Sequence, residues 1–216
     1  MLKKNPNTFT IAIDGPAASG KGTLSKKIAE ALTFAHLDTG ALYRATALHM
    51  IEHETDAITA ANHIKENLFD TNTPRLKDDD IGQMASKIAA EPEIRAILLD
   101  LQKTFAANPP NGTKGSVLDG RDIGTVVCPN ADIKLFITAP TEIRAQRRLK
   151  ELQLKDKAVT YEAVLKDMRE RDARDQGRKT APMMPADDAL IIDTGHLTAE
   201  DAFEKAMTAV RARLKT

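Results

Sequence analysis

Thr8–Asp14 (TFTIAID) reads as a β-branched strand, and it runs through Gly15-Pro16-Ala17-Ala18-Ser19-Gly20-Lys21 into a helix from Lys21 to about Thr33. The turn fits G-x-x-x-x-G-K between a strand and a helix, the context in which this short pattern is specific. Glycine is needed twice because the backbone must bend tightly and bring amides against anionic oxygens with no Cβ in the way. The amides of Gly15, Ala17, Ala18, Ser19, Gly20, Lys21, Gly22 and Thr23, with the helix N-terminus and the constrained Pro16, form a phosphate cradle. Lys21 is suited to bridge the β- and γ-phosphates of a nucleoside triphosphate. A plain glycine turn explains neither Lys21 nor the strand-to-helix position.

Further buried strands are expected at Ala35–Asp38, Gly115–Gly120, Asp132–Thr138 and Ala189–Asp193. Helices are expected from about Ala41 to His53, from the acidic start Asp78-Asp79-Asp80 to Ala90, and from Pro92 toward Ala107. Others are expected over Pro140–Leu152, Tyr161–Asp175 and about Thr198–Leu214. Strands alternating with helices predict an α/β fold with a parallel sheet covered on both faces. Ligands bind such sheets at the carboxyl ends of the strands, where Gly15–Thr23, Asp38–Arg44 and Asp119–Asp122 all fall, so one site is predicted.

Over 216 residues, Lys+Arg 31 balance Asp+Glu 31, which argues against a platform for a nucleic-acid polymer. Aromatics make up 4% with Trp 0, so the core must be aliphatic. Charged or polar residues interrupt every apolar run before the roughly 18 residues a membrane span needs. Met1–Pro6 lacks an apolar leader, so a cytoplasmic location and no membrane partner are expected. The single Cys128 follows Val126-Val127 and is expected to be a small buried residue rather than a nucleophile. The five histidines show no metal-ligand spacing and are expected to be structural or exposed.

The position after Lys21 is Gly22, with Thr23 one place later, where the wider phosphate-loop pattern has Ser or Thr directly after Lys. G-K-G-T resembles the nucleoside monophosphate kinases. Asp119, ending an apolar strand, is the candidate carboxylate for Mg²⁺ or its waters, with Thr23 as the candidate hydroxyl; a turn-forming role for Asp119 is the alternative. A second phosphate-bearing substrate calls for arginines, whose planar fork matches phosphate oxygens. Arg44 and Arg121 are candidates, and so are Arg171, Arg174 and Arg178, whose i, i+3, i+7 spacing puts them on one face if their helix continues past Gly177. A solvated basic face is the competing reading.

Nearly the whole chain is similar to the bacterial cytidylate kinases. The resemblance is carried by GPAASGKGT (15–23), LDTGALYR (37–44), ASKIAAEPEIR (85–95), LDGRDIGTVVCP (118–129) and RERDARDQGRKTAP (169–182). It implies a P-loop kinase fold with a five-stranded core sheet over about 1–38 and 108–216, an acceptor lobe over about 39–107 and a small lid over about 152–160. Arg144, Arg147 and Arg148 would then lie at the lid's base facing ATP, a rigid charged surface being the alternative. It also implies Mg²⁺-dependent transfer of the ATP γ-phosphoryl group to CMP or dCMP, in pyrimidine nucleotide metabolism, by a monomer.

By that resemblance, Ser86, Arg95 and Asp122 contact cytosine, Arg171 and Asp175 the ribose, and Arg44, Arg121 and Arg178 phosphate, with Thr39 beside the acceptor. Lys21, Arg121, Arg171 and Arg178 would be the catalytic cations. The base contacts make chemical sense: the cytosine amine donates to a carboxylate, while O2 and N3 accept from Arg95 and the Ser86 hydroxyl. Taken alone, Ser86 reads equally as a helix-packing residue and Asp122 as a turn former. Thr39 stands where Ser is commoner, 52–77 is shorter than in the long bacterial forms with their strand-bearing insert, and Lys77 replaces an Arg. Kinases of UMP, AMP or shikimate, and a non-catalytic nucleotide-binding module, are the competing functions.

Overall fold

The computed structural model describes residues 8–67, 73–154 and 158–215. Five parallel strands, β1 (Phe9–Asp14), β2 (Ala35–Asp38), β3 (Gly115–Gly120), β4 (Ile133–Thr138) and β5 (Leu190–Asp193), form one sheet in the order β2-β3-β1-β4-β5. The expected α/β architecture is therefore present, with β1 at the centre. Strand alternation divides the core: Ile11 and Ile13 face one side of β1, Ala12 the other.

On the first side, helices α1 (Lys21–Leu32) and α8 (Ala199–Leu214) cover the sheet, packing Leu24, Ile28, Met207 and Val210 against Ile11, Ile13, Leu135, Ile137 and Ile192. On the other, α2 (Thr39–His53), α3 (Ala57–Glu66), α4 (Asp79–Ile88) and α5 (Pro92–Ala107) surround Leu42, Ile64, Ile81, Ile94 and Leu98, continuous with Ala12 and Leu118. Fully burying each such aliphatic side chain stabilises by roughly 1.5–3 kcal/mol, which offsets the scarcity of aromatics. The hairpin of α6 (Thr141–Gln153) and α7 (Tyr161–Gln176) closes over its own small core of Ala145, Leu152, Val164 and Met168. Cys128 is buried, as expected.

Local chemistry sets the helix starts. Asp38 accepts from Ala41 N, so α2 begins at Thr39, two residues before the expected start. Asp56 accepts from the amides of Ile58 and Thr59, Thr160 from Ala163, and Thr198 forms a reciprocal box with Asp201. The condition for one shared arginine face is not met. Helix α7 stops at Gln176, with the Gly177 N–H closing the last turn on Ala173 O and Met183 N bonding back to Asp175 O. Arg178 is thus placed by the returning loop and does not share a helical face with Arg171 and Arg174. Of the expected lid, residues 155–157 lie outside the described residues.

Candidate active site

The strands' carboxyl ends bring the phosphate loop, the start of α2 and the segment after β3 to one end of the sheet. Gly15 there has φ +147°, and a Cβ on it would lie 2.0 Å from Ile137 O of β4. Gly20 caps α1 at φ +89° with no side-chain hydrogen bond, and the first turn of α1 carries no acidic residue. The leading amides of that helix are therefore left for an anion. Ser19 is fully buried and its Oγ has no partner. A buried hydroxyl without a hydrogen bond is costly unless a ligand supplies one.

The loop is braced from behind. Arg144 Nη1 donates to Ala17 O (3.3 Å), while its Nε and Nη2 hold Ala139 O (2.8 Å) and Asp172 (2.6 Å). Thr194 Oγ1 donates to Ser19 O (2.8 Å), and Arg147 Nη1 donates to Thr194 Oγ1 (3.0 Å). Arg144 and Arg147 thus serve the loop's framework, and Arg148 pairs with Asp79 and Glu151. Lys21 Nζ turns back to Pro16 O (3.3 Å). Burial, with Arg121 as the nearest repelling cation, pulls its ammonium down to about 7.

Asp119, 3% exposed, accepts through Oδ2 from His36 Nε2 at 2.7 Å. His36, expected to be merely structural or exposed, thus orients the candidate metal carboxylate. Thr23 is exposed on the first turn of α1. Thr39 Oγ1 donates to Asp119 O (2.8 Å), so its proton is committed while its lone pairs remain. Arg44 Nη2 holds Asp38 Oδ2 at 2.6 Å; burial opposes the Asp38 charge, but Arg44 keeps its carboxyl below the usual range.

Facing the loop across a cavity of about 1240 Å³ are Arg44, Lys77, Arg121, Arg148 and Arg171. Arg121 Nε donates to Asp175 Oδ2 (2.9 Å), and Arg178 pairs with Asp175 Oδ1. Asp175 is almost fully buried; desolvation works against its charge, but Arg121 and Arg178 hold its pKa down. Arg171 Nε and Arg178 Nε are buried without partners. Burial, and then repulsion from Arg121, lowers Arg171 to about 10, still a full cation at neutral pH. Among the described residues these two guanidinium N–H groups thus stay unpaired, at a cost that a bound acceptor would relieve.

Behind these arginines, Arg95 of α5 pairs with Asp122, donates to Ala89 O (3.2 Å) and lies 5.9 Å from the Tyr43 ring centroid. Burial pushes the Asp122 carboxyl up despite Arg95, Arg178 and Arg121. Ser86 of α4, also buried, accepts from Arg174 Nη1 at 2.7 Å. Arg44, Arg121 and Arg171 line the cavity with the phosphate loop, whereas Thr39, Ser86, Arg95, Asp119, Asp122, Asp175 and Arg178 do not line it and are held in the contacts described above.

One residue and one pairing escaped the sequence reading. Asp14 ends β1 and accepts from the amides of Ile123 and Gly124, both at 2.7 Å, at the head of a π-helical turn over Ile123–Val127. It ties the start of the phosphate loop to the segment bearing Asp122. The signal was present, because Asp14 is a strand-terminal carboxylate like Asp119. Arg174 was a candidate arginine, but its pairing with Ser86 carried no signal, the two being 88 residues apart.

The family model described as "Cytidylate kinase" matches residues 11–212. The chain belongs to the cytidylate kinase family. A cytidylate kinase of Rhodospirillum rubrum is 52% identical over 203 residues, covering 91% of this chain and 94% of that protein. One of Azorhizobium caulinodans is 50% identical, covering 94% and 98%. Among solved structures, an uncharacterized protein from Eubacterium ventriosum superposes with TM-score 0.56 at 15% identity, covering 94% of this chain and 99% of that one. TT1252 from Thermus thermophilus gives 0.51 at 19%, covering 96% and 98%. These two likenesses speak to the fold alone.

Proposed function

We propose that this enzyme transfers the γ-phosphoryl group of ATP to the α-phosphate of CMP or dCMP, giving ADP and CDP or dCDP. The observation that carries this reading is the single cavity in which an uncapped phosphate loop faces Arg44, Arg121 and Arg171. An acceptor lobe over about 39–107 and a core over about 1–38 and 108–216 divide the work. The setting is cytoplasmic pyrimidine nucleotide metabolism, and the working unit is a monomer. Among the described residues no helix is long and apolar enough to cross a membrane.

The attacking phosphate oxygen is already anionic, so no side-chain base is needed; positioning and charge neutralisation do the work. The amides of Gly15 and Ala17–Thr23 hold the donor phosphates, and Lys21 follows the β- and γ-oxygens through transfer. Arg44, Arg121 and Arg178 hold the acceptor phosphate, and Arg171 with Asp175 the ribose. Thr39 accepts from the acceptor side, its own proton being used on Asp119 O.

Thr23 and Asp119 are the residues that would hold Mg²⁺, largely through its waters. The donors fit: they are hard oxygens, and the described residues contain no cluster of three His, Cys, Asp or Glu that would replace the hydration shell. When bound, the ion supplies charge neutralisation at the triphosphate.

Asp122, fixed by Arg95, accepts from the cytosine amine, while Arg95 and Ser86 donate to its ring acceptors. Uracil presents a carbonyl where cytosine has the amine. It would face the carboxylate and leave it unpaired, a mismatch of the kind that costs several orders of magnitude in discrimination. With ATP and Mg²⁺, turnover should therefore rank CMP and dCMP well above UMP and AMP, and chelation by EDTA should abolish it. Turnover of AMP but not of CMP would sink the assignment.

A further inference from the structure

Ser86 differs from its counterparts elsewhere in the molecule. A serine or threonine inside a helix ordinarily donates its hydroxyl proton to the carbonyl four residues earlier. Ser25, Thr46 and Thr208 do so, to Lys21 O (2.8 Å), Leu42 O (2.9 Å) and Glu204 O (2.8 Å). Ser86 sits within α4 and is buried, yet its described hydrogen bond is an accepted one, from Arg174 Nη1 at 2.7 Å. Guanidinium has no lone pair to offer, so the direction of this bond is not open to choice. With one lone pair engaged by Arg174, the single O–H of Ser86 is left to donate elsewhere.

We propose that Arg174 is a positioning residue for recognition of the acceptor base, fixing the Ser86 hydroxyl as a hydrogen-bond donor toward it. This rests on the reading of Ser86 as a base contact. A free serine hydroxyl is indifferent, able to donate to a base acceptor or to accept from a base N–H. Cytosine offers acceptors at O2 and N3, whereas uracil carries a proton on N3. A hydroxyl with one lone pair already engaged and its O–H free is biased toward donation and so favours cytosine, and one released to back-bond within α4 would present lone pairs instead. Arg174 thus contributes to base choice without touching the base, and it does so across the contact between α4 and α7.

The test compares kcat and KM for CMP and UMP in the full-length enzyme with saturating ATP and Mg²⁺, for Arg174→Met, Arg174→Lys, Ser86→Ala and the double variant Ser86→Ala/Arg174→Met. Arg174→Met should raise the KM for CMP about tenfold, the loss of one hydrogen bond, and lower the CMP-to-UMP ratio of kcat/KM by a similar factor. Its kcat with CMP should stay within about twofold, since losing a contact made equally in the ground and transition states raises KM and leaves kcat. Arg174→Lys, which retains a donor, should restore most of the ratio.

On the Ser86→Ala background, Arg174→Met should change the ratio by less than about twofold, because the two residues act as one unit. Equal losses for CMP and UMP, or fully additive losses in the double variant, would assign Arg174 a purely structural role and overturn the inference. If Ser86→Ala lowers the ratio and Arg174→Met does not, only the inference fails. If Ser86→Ala leaves the ratio unchanged, the reading of Ser86 fails and takes the inference with it. Should Arg174→Met not fold, Arg174→Gln, a neutral donor, replaces it with the ratio expected between those of the wild type and Ser86→Ala; a ratio at or below that of Ser86→Ala would count against the proposal.

Discussion

Lys21 is a cation whose charge burial opposes. Burial brings its pKa to about 7, so near neutral pH a large share of the empty protein carries it uncharged. A triphosphate beside it favours the ammonium, and the sign follows: nucleotide binding must take up a proton above pH 7, and affinity must weaken as pH rises. Calorimetry of ATP binding at about pH 8, in buffers of different ionisation enthalpy, should report uptake approaching one proton in the wild type and none in Lys21→Met. The apparent Kd should rise by up to about tenfold per pH unit in this range. Uptake unchanged in Lys21→Met would assign the proton to another group. Lys21, Arg44 and Arg121 were legible because motif spacing places them next to strand ends. Ser86, Arg95 and Asp122 were legible only through resemblance, since a helical serine and a turn aspartate carry no chemistry in isolation. The pairings His36 with Asp119 and Arg174 with Ser86 were not legible at all, as each joins segments more than 80 residues apart.

At the scale of elements, the strands and most helices follow directly from period and caps: Pro92 opens α5, Thr198 opens α8, and strand alternation sorts β1 between two cores. The turn over Ile123–Val127 does not, because IGTVV has a strand's composition and is held as a π-helical turn by Asp14 from a different strand. The shared face for Arg178 depended on α7 continuing past Gly177, and it ends at Gln176: spacing says where a residue falls only while its helix lasts. Asp14 has its own pH signature. Burial raises its pKa from 3.8 to about 7, so the native state binds a proton more tightly than the unfolded chain between those values. The associated stability is full below about pH 4 and lost as pH climbs through 7. Asp14→Asn is always neutral. It should destabilise by about 1–3 kcal/mol at pH 5, where an acceptor oxygen gives way to an amide, and by less at pH 8. Urea midpoints at the two pH values measure this, and a larger loss at pH 8 would contradict the assignment.

Over the whole molecule, a net charge of zero conceals a separation of charge. Lys21, Lys27, Arg44, Lys77, Arg121, Arg147, Arg148 and Arg171 line one cavity and outnumber the acidic residues there, Asp78, Asp79, Asp80, Glu151 and Asp167. Nucleotides should therefore be drawn in electrostatically although the protein as a whole is neutral. Raising KCl from about 50 to about 300 mM shortens the Debye length to below 10 Å and should lower kcat/KM for CMP several-fold. A salt-independent kcat/KM would mean that the cavity's field does not reach the encounter. The parallel sheet has a different consequence at its far end. All five strands point their carboxyl ends at the nucleotides, so the exposed turn at Pro110–Gly112, which leads into the amino end of β3, stands a full strand length away. New chain termini, a fluorophore or an inserted domain placed there would leave the reaction centre untouched, which makes that turn a handle by which the enzyme can be rewired or watched while it works.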